Sequence, residues 1–126
     1  MRIHSYRAVM ATTAALVLMG CAKGPESTVE NFYAAVGKGD IAEAEQYLSS
    51  QILGYMPPAK LEGSLKKEHE RVVACGGIKA VTVKLEGEGE SRSGMATVSY
   101  RGECPEKTEK VYLVREQDQW KIGADK

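Results

Sequence analysis

The sequence predicts an α+β domain, with three N-terminal helices packed on an antiparallel sheet of about four strands. Three observations carry that prediction. Apolar residues recur every three or four positions up to about Cys75. After Gly76-Gly77 the apolar spacing falls to two. Polar, glycine-rich stretches then separate the later runs, as turns separate strands. Helices first and strands afterwards is the α+β pattern.

Pro25-Glu26-Ser27-Thr28 opens the first helix, since proline suits a first turn and glutamate suits the positive helix end. Val29, Phe32, Tyr33 and Val36 form its apolar stripe, and Gly37-Lys38-Gly39 stops it. Asp40 is an N-cap with Glu43 three residues on, a capping-box spacing. The second helix carries Ile41, Ala44, Tyr47 and Leu48 and is expected to end near Ser50. Ile52 to Pro58 reads as a loop. A third helix is expected from about Ala59 to Ala74, with Leu61, Leu65, Val72 and Cys75 along one side and His69 at its border. A first strand carries Val81, Val83 and Leu85, and Glu86 to Gly94 reads as a turn. The second strand carries Ala96, Val98 and Tyr100. Thr108 to Arg115 makes a third, and Trp120 and Ile122 belong to a short fourth. Placing Val83 opposite Val98, Val81 opposite Tyr100 and Leu85 opposite Ala96 puts all six on one face, so this register is expected.

The amino terminus has a different character. Arg2 and Arg7 precede a continuous apolar run, Ala8 to Met19, with no acidic residue. A small residue, Gly20, then precedes Cys21. This is the layout of a secretory signal peptide. A membrane-spanning helix needs roughly 20 apolar residues, and this run is shorter. Leu18-Met19-Gly20-Cys21 resembles the bacterial lipobox. The resemblance implies a diacylglyceryl group on the Cys21 sulfur and cleavage after Gly20. The expected organisation is a signal over residues 1–20, a lipidated tether over 21–24 and one domain over 25–126. Two or three acyl chains on one residue make a lasting anchor, whereas one holds only marginally. The expected location is the cell envelope at a membrane surface. Ala22, where some lipoproteins carry Asp, resembles the outer-membrane class if the host is Gram-negative.

Removing residues 1–20 leaves 106 residues, enough for one core. The signal carries two of the 17 basic residues and none of the 17 acidic ones, so the remainder has a net charge of −2. No basic run stands out, and nucleic acid is not an expected partner. Cys75 and Cys104 remain after the lipidated cysteine, and an oxidising compartment pairs them. The hairpin register brings them to its base on the same side, as diagonal neighbours unless a bulge shifts them. With His69 as the single histidine of the mature chain, no metal site is expected, and no cofactor is implied.

Pro25 to Val29, Phe32-Tyr33-Ala34-Ala35, Gly39-Asp40, Ala44 and Tyr47-Leu48 resemble the opening of small bacterial lipoproteins in the nuclear transport factor 2-like superfamily. Met95 to Val98, Val111 to Val114 and Trp120-Lys121-Ile122 resemble their ending. Many such proteins carry a domain of unknown function. The resemblance implies a cone, in which a curved antiparallel sheet wraps a helical hairpin and leaves a pocket between them. Some relatives are enzymes, some bind small molecules, and many are protein-binding or dimeric, so a homodimer is among the implied states. Ketosteroid isomerase, one enzymatic branch, places its oxyanion tyrosine eight positions before the Gly-Asp aspartate. That position here is Phe32, which donates no hydrogen bond. Its catalytic aspartate lies after the second helix, where Leu53 to Pro58 holds no carboxylate.

No catalytic constellation emerges. Ser91, Ser93 and Ser99 have no histidine near them in sequence, and Glu86, Glu88 and Glu90 do not match a calcium loop. Tyr33, Tyr47, Tyr55, Tyr100 and Trp120 are the candidates for lining a pocket. The expected function is a non-enzymatic module, bound to the membrane by its lipid, that binds a protein or a small ligand. The alternatives are a small hydrolase or isomerase of the same fold, favoured by a buried His69 or Tyr47 beside a carboxylate in an open pocket, and a structural envelope protein. Replacing Cys21 by serine should abolish metabolic labelling with fatty acid while leaving the pairing of Cys75 with Cys104 intact. Labelling that survives Cys21→Ser would overturn the anchor.

Overall fold

The computed structural model describes residues 24–125. The signal of residues 1–20, Cys21 and the start of the tether lie outside the described residues. The elements run α1 (Pro25–Lys38), α2 (Ile41–Glu45), α3 (Ser50–Tyr55), α4 (Pro58–Ala74), β1 (Ile78–Glu86), β2 (Ser91–Tyr100), β3 (Lys107–Glu116) and β4 (Gln119–Gly123). The strands form one antiparallel meander in the order β1-β2-β3-β4. The α+β class stands, with four helical segments where the sequence suggests three.

The helix ends follow local chemistry. Pro25 opens α1, Glu26 and Lys38 complement its dipole, and Gly39 caps it at φ 78°. The Asp40 side chain accepts the Glu43 N–H at 3.1 Å, starting α2. α2 then stops at Glu45, short of the expected end. The cause is a long-range capture. Ile122 N–H donates to the Tyr47 carbonyl at 2.7 Å, and Ser49 N–H donates to the Ile122 carbonyl at 2.8 Å. Leu48 thereby forms an isolated parallel bridge with Ile122, on the open side of edge strand β4. An edge strand offers unpaired backbone groups, and these compete with helix propagation. The chain restarts at Ser49, whose hydroxyl accepts the Ile52 N–H at 3.3 Å and caps α3. The segment expected to be a loop is therefore largely helical.

The first hairpin is tighter than expected. β1 and β2 pair as Val81 with Val98, Val83 with Ala96 and Leu85 with Gly94. The inward faces survive because the shift from the expected register is two residues, which preserves parity. The turn spans only residues 87–90, with Gly87 and Gly89 at φ 113° and 74°. Gly94 is a strand residue, not part of the turn. A Cβ there would fall on the Lys84 carbonyl oxygen and come within 2.9 Å of the Leu85 Cα. At the other end an irregularity between Ile78 and Ala80 adjusts the ladder.

Two apolar clusters meet along α1. Val29, Val72, Val98 and Leu113 centre one of them, between the helices and the sheet. Val36, Ala44, Leu61 and Leu65 centre the other, among the helices, and Phe32 packs against both. A disulfide joins Cys75, the C-cap of α4, to Cys104 in the loop before β3, with Cα atoms 5.5 Å apart. Beside it Gly102 N–H donates to the Cys75 carbonyl at 2.8 Å. A Cβ on Gly102 would lie 2.7 Å from that carbonyl oxygen, so the two backbones approach only because this residue is glycine.

The disulfide closes a loop between residues 29 apart. On the chain-entropy model, replacing both cysteines by alanine should cost roughly 3 to 4 kcal/mol. Urea unfolding of the paired Cys75→Ala and Cys104→Ala variant measures this. An unchanged midpoint would show that the crosslink adds nothing.

Candidate functional site

The sheet register decides which side chains face the helices. Successive inward rows are Val81-Val98-Lys107, Val83-Ala96-Glu109, Leu85-Gly94-Val111 and Arg92-Leu113-Ile122, followed by Arg115-Trp120. Most of these rows are apolar. The exceptions are two charged residues on β3, Lys107 and Glu109, and two arginines at the turn end.

Lys107 and Glu109 belong to one polar network that ties β3 to α1 and α4. Tyr33 of α1, only 4% exposed, donates its hydroxyl proton to Glu109 Oε2. Lys107 Nζ reaches Glu109 Oε1 at 3.1 Å and Glu68 Oε1 of α4 at 2.7 Å. Arg71 Nη1 lies 3.6 Å from the same Glu68 oxygen, and its guanidinium covers the Tyr100 ring at 5.9 Å. The network holds two carboxylates and two cations, so its formal charge is zero. Burial, followed by the Glu109 hydrogen bond and the nearby Glu109 and Glu68 charges, holds the Tyr33 hydroxyl far above its ordinary range. Burial opposes the charge on Lys107, but Glu68 and Glu109 outweigh it and raise the ammonium. The Tyr100 hydroxyl is buried with no hydrogen-bond partner among the described residues.

A cleft of about 400 Å³ opens beside this network, between α1 and the β2–β3–β4 part of the sheet. Phe32, Val111 and Ile122 line its apolar side, Tyr33 and Glu109 supply the polar end beside the network, and Glu86, Lys110 and Asp125 add charged groups elsewhere in its lining. Gly94 forms part of the floor and leaves it free of any side chain.

The five aromatics proposed from the sequence do not share one cavity. Tyr33 lines the cleft. Tyr100 is buried beneath Arg71. Tyr47 and Trp120 flank a separate surface groove beside Thr28. Tyr55 is 76% exposed, at the end of α3. Tyr33 and Tyr47 fall in helical patterns, Tyr100 and Trp120 on strands and Tyr55 in an expected loop, and only sheet register and long-range contacts decide which of them meet. His69 gives its Nδ1 proton to the Val36 carbonyl at 2.8 Å, holding α4 against the end of α1. Tyr47 lies 3.4 Å from Glu43 on the same surface turn. Neither is the buried acid-base pair that would favour an enzyme. Among the described residues, no group of three His, Cys, Asp or Glu side chains is placed to hold a metal.

Glu109, Lys107, Glu68 and Arg71 were not singled out from the sequence. A signal for two of them was present. Extending the inward alternation of Leu113 and Val111 back along β3 reaches Glu109 and then Lys107, charged residues on an apolar face.

Comparison with known proteins places this geometry. A solved structure from Campylobacter jejuni, described as an NTF2-like transpeptidase, matches with a TM-score of 0.67 at 14% identity, covering 81% of this chain and 99% of that one. A SEC-C-motif-containing protein from Rhodopseudomonas palustris matches with a TM-score of 0.59 at 12% identity, over 82% and 77% of the two chains. A protein from Shewanella frigidimarina described as a ketosteroid isomerase matches with a TM-score of 0.52 at 19% identity, over 80% and 92%. At these identities the likeness shows the fold alone, and that fold is NTF2-like. No curated protein matches the sequence. The model of a domain of unknown function, DUF4878, matches residues 19–123, and the chain belongs to that family.

Proposed function

We propose that this protein is an envelope lipoprotein, anchored through Cys21, whose domain binds a small neutral ligand in the cleft beside Tyr33 and Glu109. One observation carries the binding reading: the polar end of the cleft is already paired. Glu109 accepts from Tyr33 and Lys107, and Lys107 is shared with Glu68. A general base needs a free lone pair aimed at substrate, and an amine nucleophile needs to lose its proton. Here Tyr33 and Lys107 are both held in their protonated forms. Cys75 and Cys104 are joined to each other, so neither offers a thiol.

A volume of about 400 Å³ suits a small molecule. The apolar side suits an apolar body, and the charge-balanced network suits a neutral polar end. The ligand class is a neutral amphiphile. The anchor would hold the domain at a surface where such molecules are concentrated.

Nuclear magnetic resonance of the isotopically labelled mature protein tests this, using a monoacylglycerol and a long-chain alcohol as probes. Saturable shifts are expected at the Gly94 and Val111 amides. Val111→Phe, which fills the cleft, should weaken binding by about tenfold or more, the factor that 1.4 kcal/mol represents. No saturable shift with either probe would overturn the reading. Turnover of a substrate that Glu109→Gln abolishes would establish the enzymatic rival.

The network also fixes an alkaline dependence. Tyr33 and Lys107 keep protons in the fold that the unfolded chain releases above about pH 10. The stability linked to them is fully present below that pH and falls as pH rises through and beyond it. Unfolding midpoints at about pH 8 and about pH 11 should differ more for the native chain than for Tyr33→Phe. Equal differences would place Tyr33 outside this linkage.

A further inference from the structure

At the turn end of the inward face, Arg92 and Arg115 share one aromatic ring. Their guanidinium carbons lie 5.0 and 5.8 Å from the Trp120 ring centre. The side-chain hydrogen bonds of Arg92 go to backbone carbonyls, Gly89 at 2.7 Å and Ser91 at 2.9 Å. Arg115 approaches only Asp118, at 3.9 Å, and the Asp118 side chain is 98% exposed. Neither cation has a carboxylate within hydrogen-bond distance among the described residues. Lys107, at the start of β3, has two. The Trp120 ring lies against both guanidinium groups, and Arg92 Nη1 is taken by the two carbonyls. The remaining N–H donors of the pair have no side-chain or backbone acceptor among the described residues, which leaves an arrangement able to take a phosphate oxygen pair.

The position of this platform matters as much as its charge. Thr28 Oγ1 donates to the Trp120 carbonyl at 3.4 Å, so the platform lies against the first turn of α1. α1 begins at Pro25, four residues after Cys21. Four residues span at most about 14 Å when fully extended. If Cys21 carries lipid, the platform cannot stand far from the headgroup layer. Arginine and tryptophan both suit that boundary, each with an apolar body and a polar tip.

We propose that Arg92, Arg115 and Trp120 dock the domain onto phosphodiester headgroups of the membrane that holds its anchor. This rests on the anchoring reading given above. Glu88 and Glu90 on the neighbouring turn set its character. They rule out adsorption by bulk positive charge and leave local recognition of a phosphate by the two guanidinium groups. Docking should therefore depend little on the fraction of anionic lipid and should persist on zwitterionic bilayers.

Trp120 is the single tryptophan of the chain, so its fluorescence reports this site alone. The test uses the lipidated protein reconstituted into phosphatidylethanolamine–phosphatidylcholine vesicles that carry a headgroup spin-label quencher. Trp120 emission should fall by more than half, with little change when phosphatidylglycerol is added. The paired Arg92→Gln and Arg115→Gln variant should recover most of the emission, with its circular dichroism spectrum unchanged. Unquenched Trp120 in native protein, with diacylglyceryl found on Cys21 by mass spectrometry, would overturn the docking and leave the anchor standing. Absence of diacylglyceryl would overturn both. An emission change produced equally by inorganic phosphate, with nothing added by vesicles, would mark a soluble anion site and overturn the lipid assignment. Because the tether alone holds Trp120 near the surface, recovery of emission in the arginine variant is what supports docking. Should that variant fail to fold, Arg92→Lys with Arg115→Lys, which keeps the charge but loses the paired donors, should recover emission instead, and equal quenching there would overturn the proposal.

Discussion

The ammonium of Lys107 is the contact on which the rest of the inner face depends. It projects from β3 in a row with Val81 and Val98, on a face that is mostly apolar. A cation left alone there would carry a large desolvation cost. Glu68 of α4 and Glu109 on its own strand compensate it, and Tyr33 of α1 occupies the remaining oxygen of Glu109. Each partner lies on a different element, so satisfying one charge sets the positions of both long helices against the sheet. Apolar burial supplies most of the favourable free energy but tolerates sliding. A paired network does not, because a displaced partner leaves a buried group unsatisfied.

The domain has two unlike ends. At one, the disulfide, the Gly102–Cys75 backbone contact and the His69 bond to Val36 hold α4 against its neighbours. Cys75 lies one helical turn beyond Arg71 and two beyond Glu68, and Cys104 lies three residues before Lys107. The crosslink therefore restrains both the helix and the strand that meet in the central ion pairs. At the other end, α1 begins and the two hairpin turns lie. There Gln117 and Asp118 adopt φ values of 50° and 64°, a left-handed pair that matches the twist of a two-residue hairpin. This end carries Arg92 and Arg115, beside the first turn of α1. Rigidity and surface charge are thus separated along the strand direction, with the cleft between them.

Local periodicity made α1, α4 and the inward residues of β1 and β2 legible, because each depends on neighbours a few positions away. Asp40 and Gly39 also declared their caps. Cys75 and Cys104 were legible as a pair because they are the two cysteines of the expected domain, and the structure joins them. What local pattern could not supply was competition from distant backbone. Ala44, Tyr47 and Leu48 have helical spacing, yet β4 draws the chain out of α2 at Leu48. The true hairpin register turned on Gly94 serving as a strand residue, a position that looks like a turn until Lys84 and Leu85 are seen against it. Of the site, Tyr33 was legible as an inward helix residue. Its partner Glu109 left a trace only as a charge at an inward position of β3, and nothing in spacing says that it meets Tyr33, 76 positions away.

The adjacent pair Phe32-Tyr33 decides what α1 presents to the cleft and what it presents to the sheet. One residue along a helix rotates a side chain by about 100°. Phe32, at the position where the isomerase resemblance expects a tyrosine, faces the cleft and both apolar clusters. Tyr33 turns its hydroxyl onto Glu109, and the two rings meet edge to face at 5.4 Å. The hydrogen-bond donor that a carbonyl substrate would need is therefore committed to a carboxylate of the protein itself. Freeing it would strand Glu109 with Lys107 alone. The same contact that orders α1 against β3 thus fixes the Tyr33 hydroxyl and Glu109 at one end of the cleft.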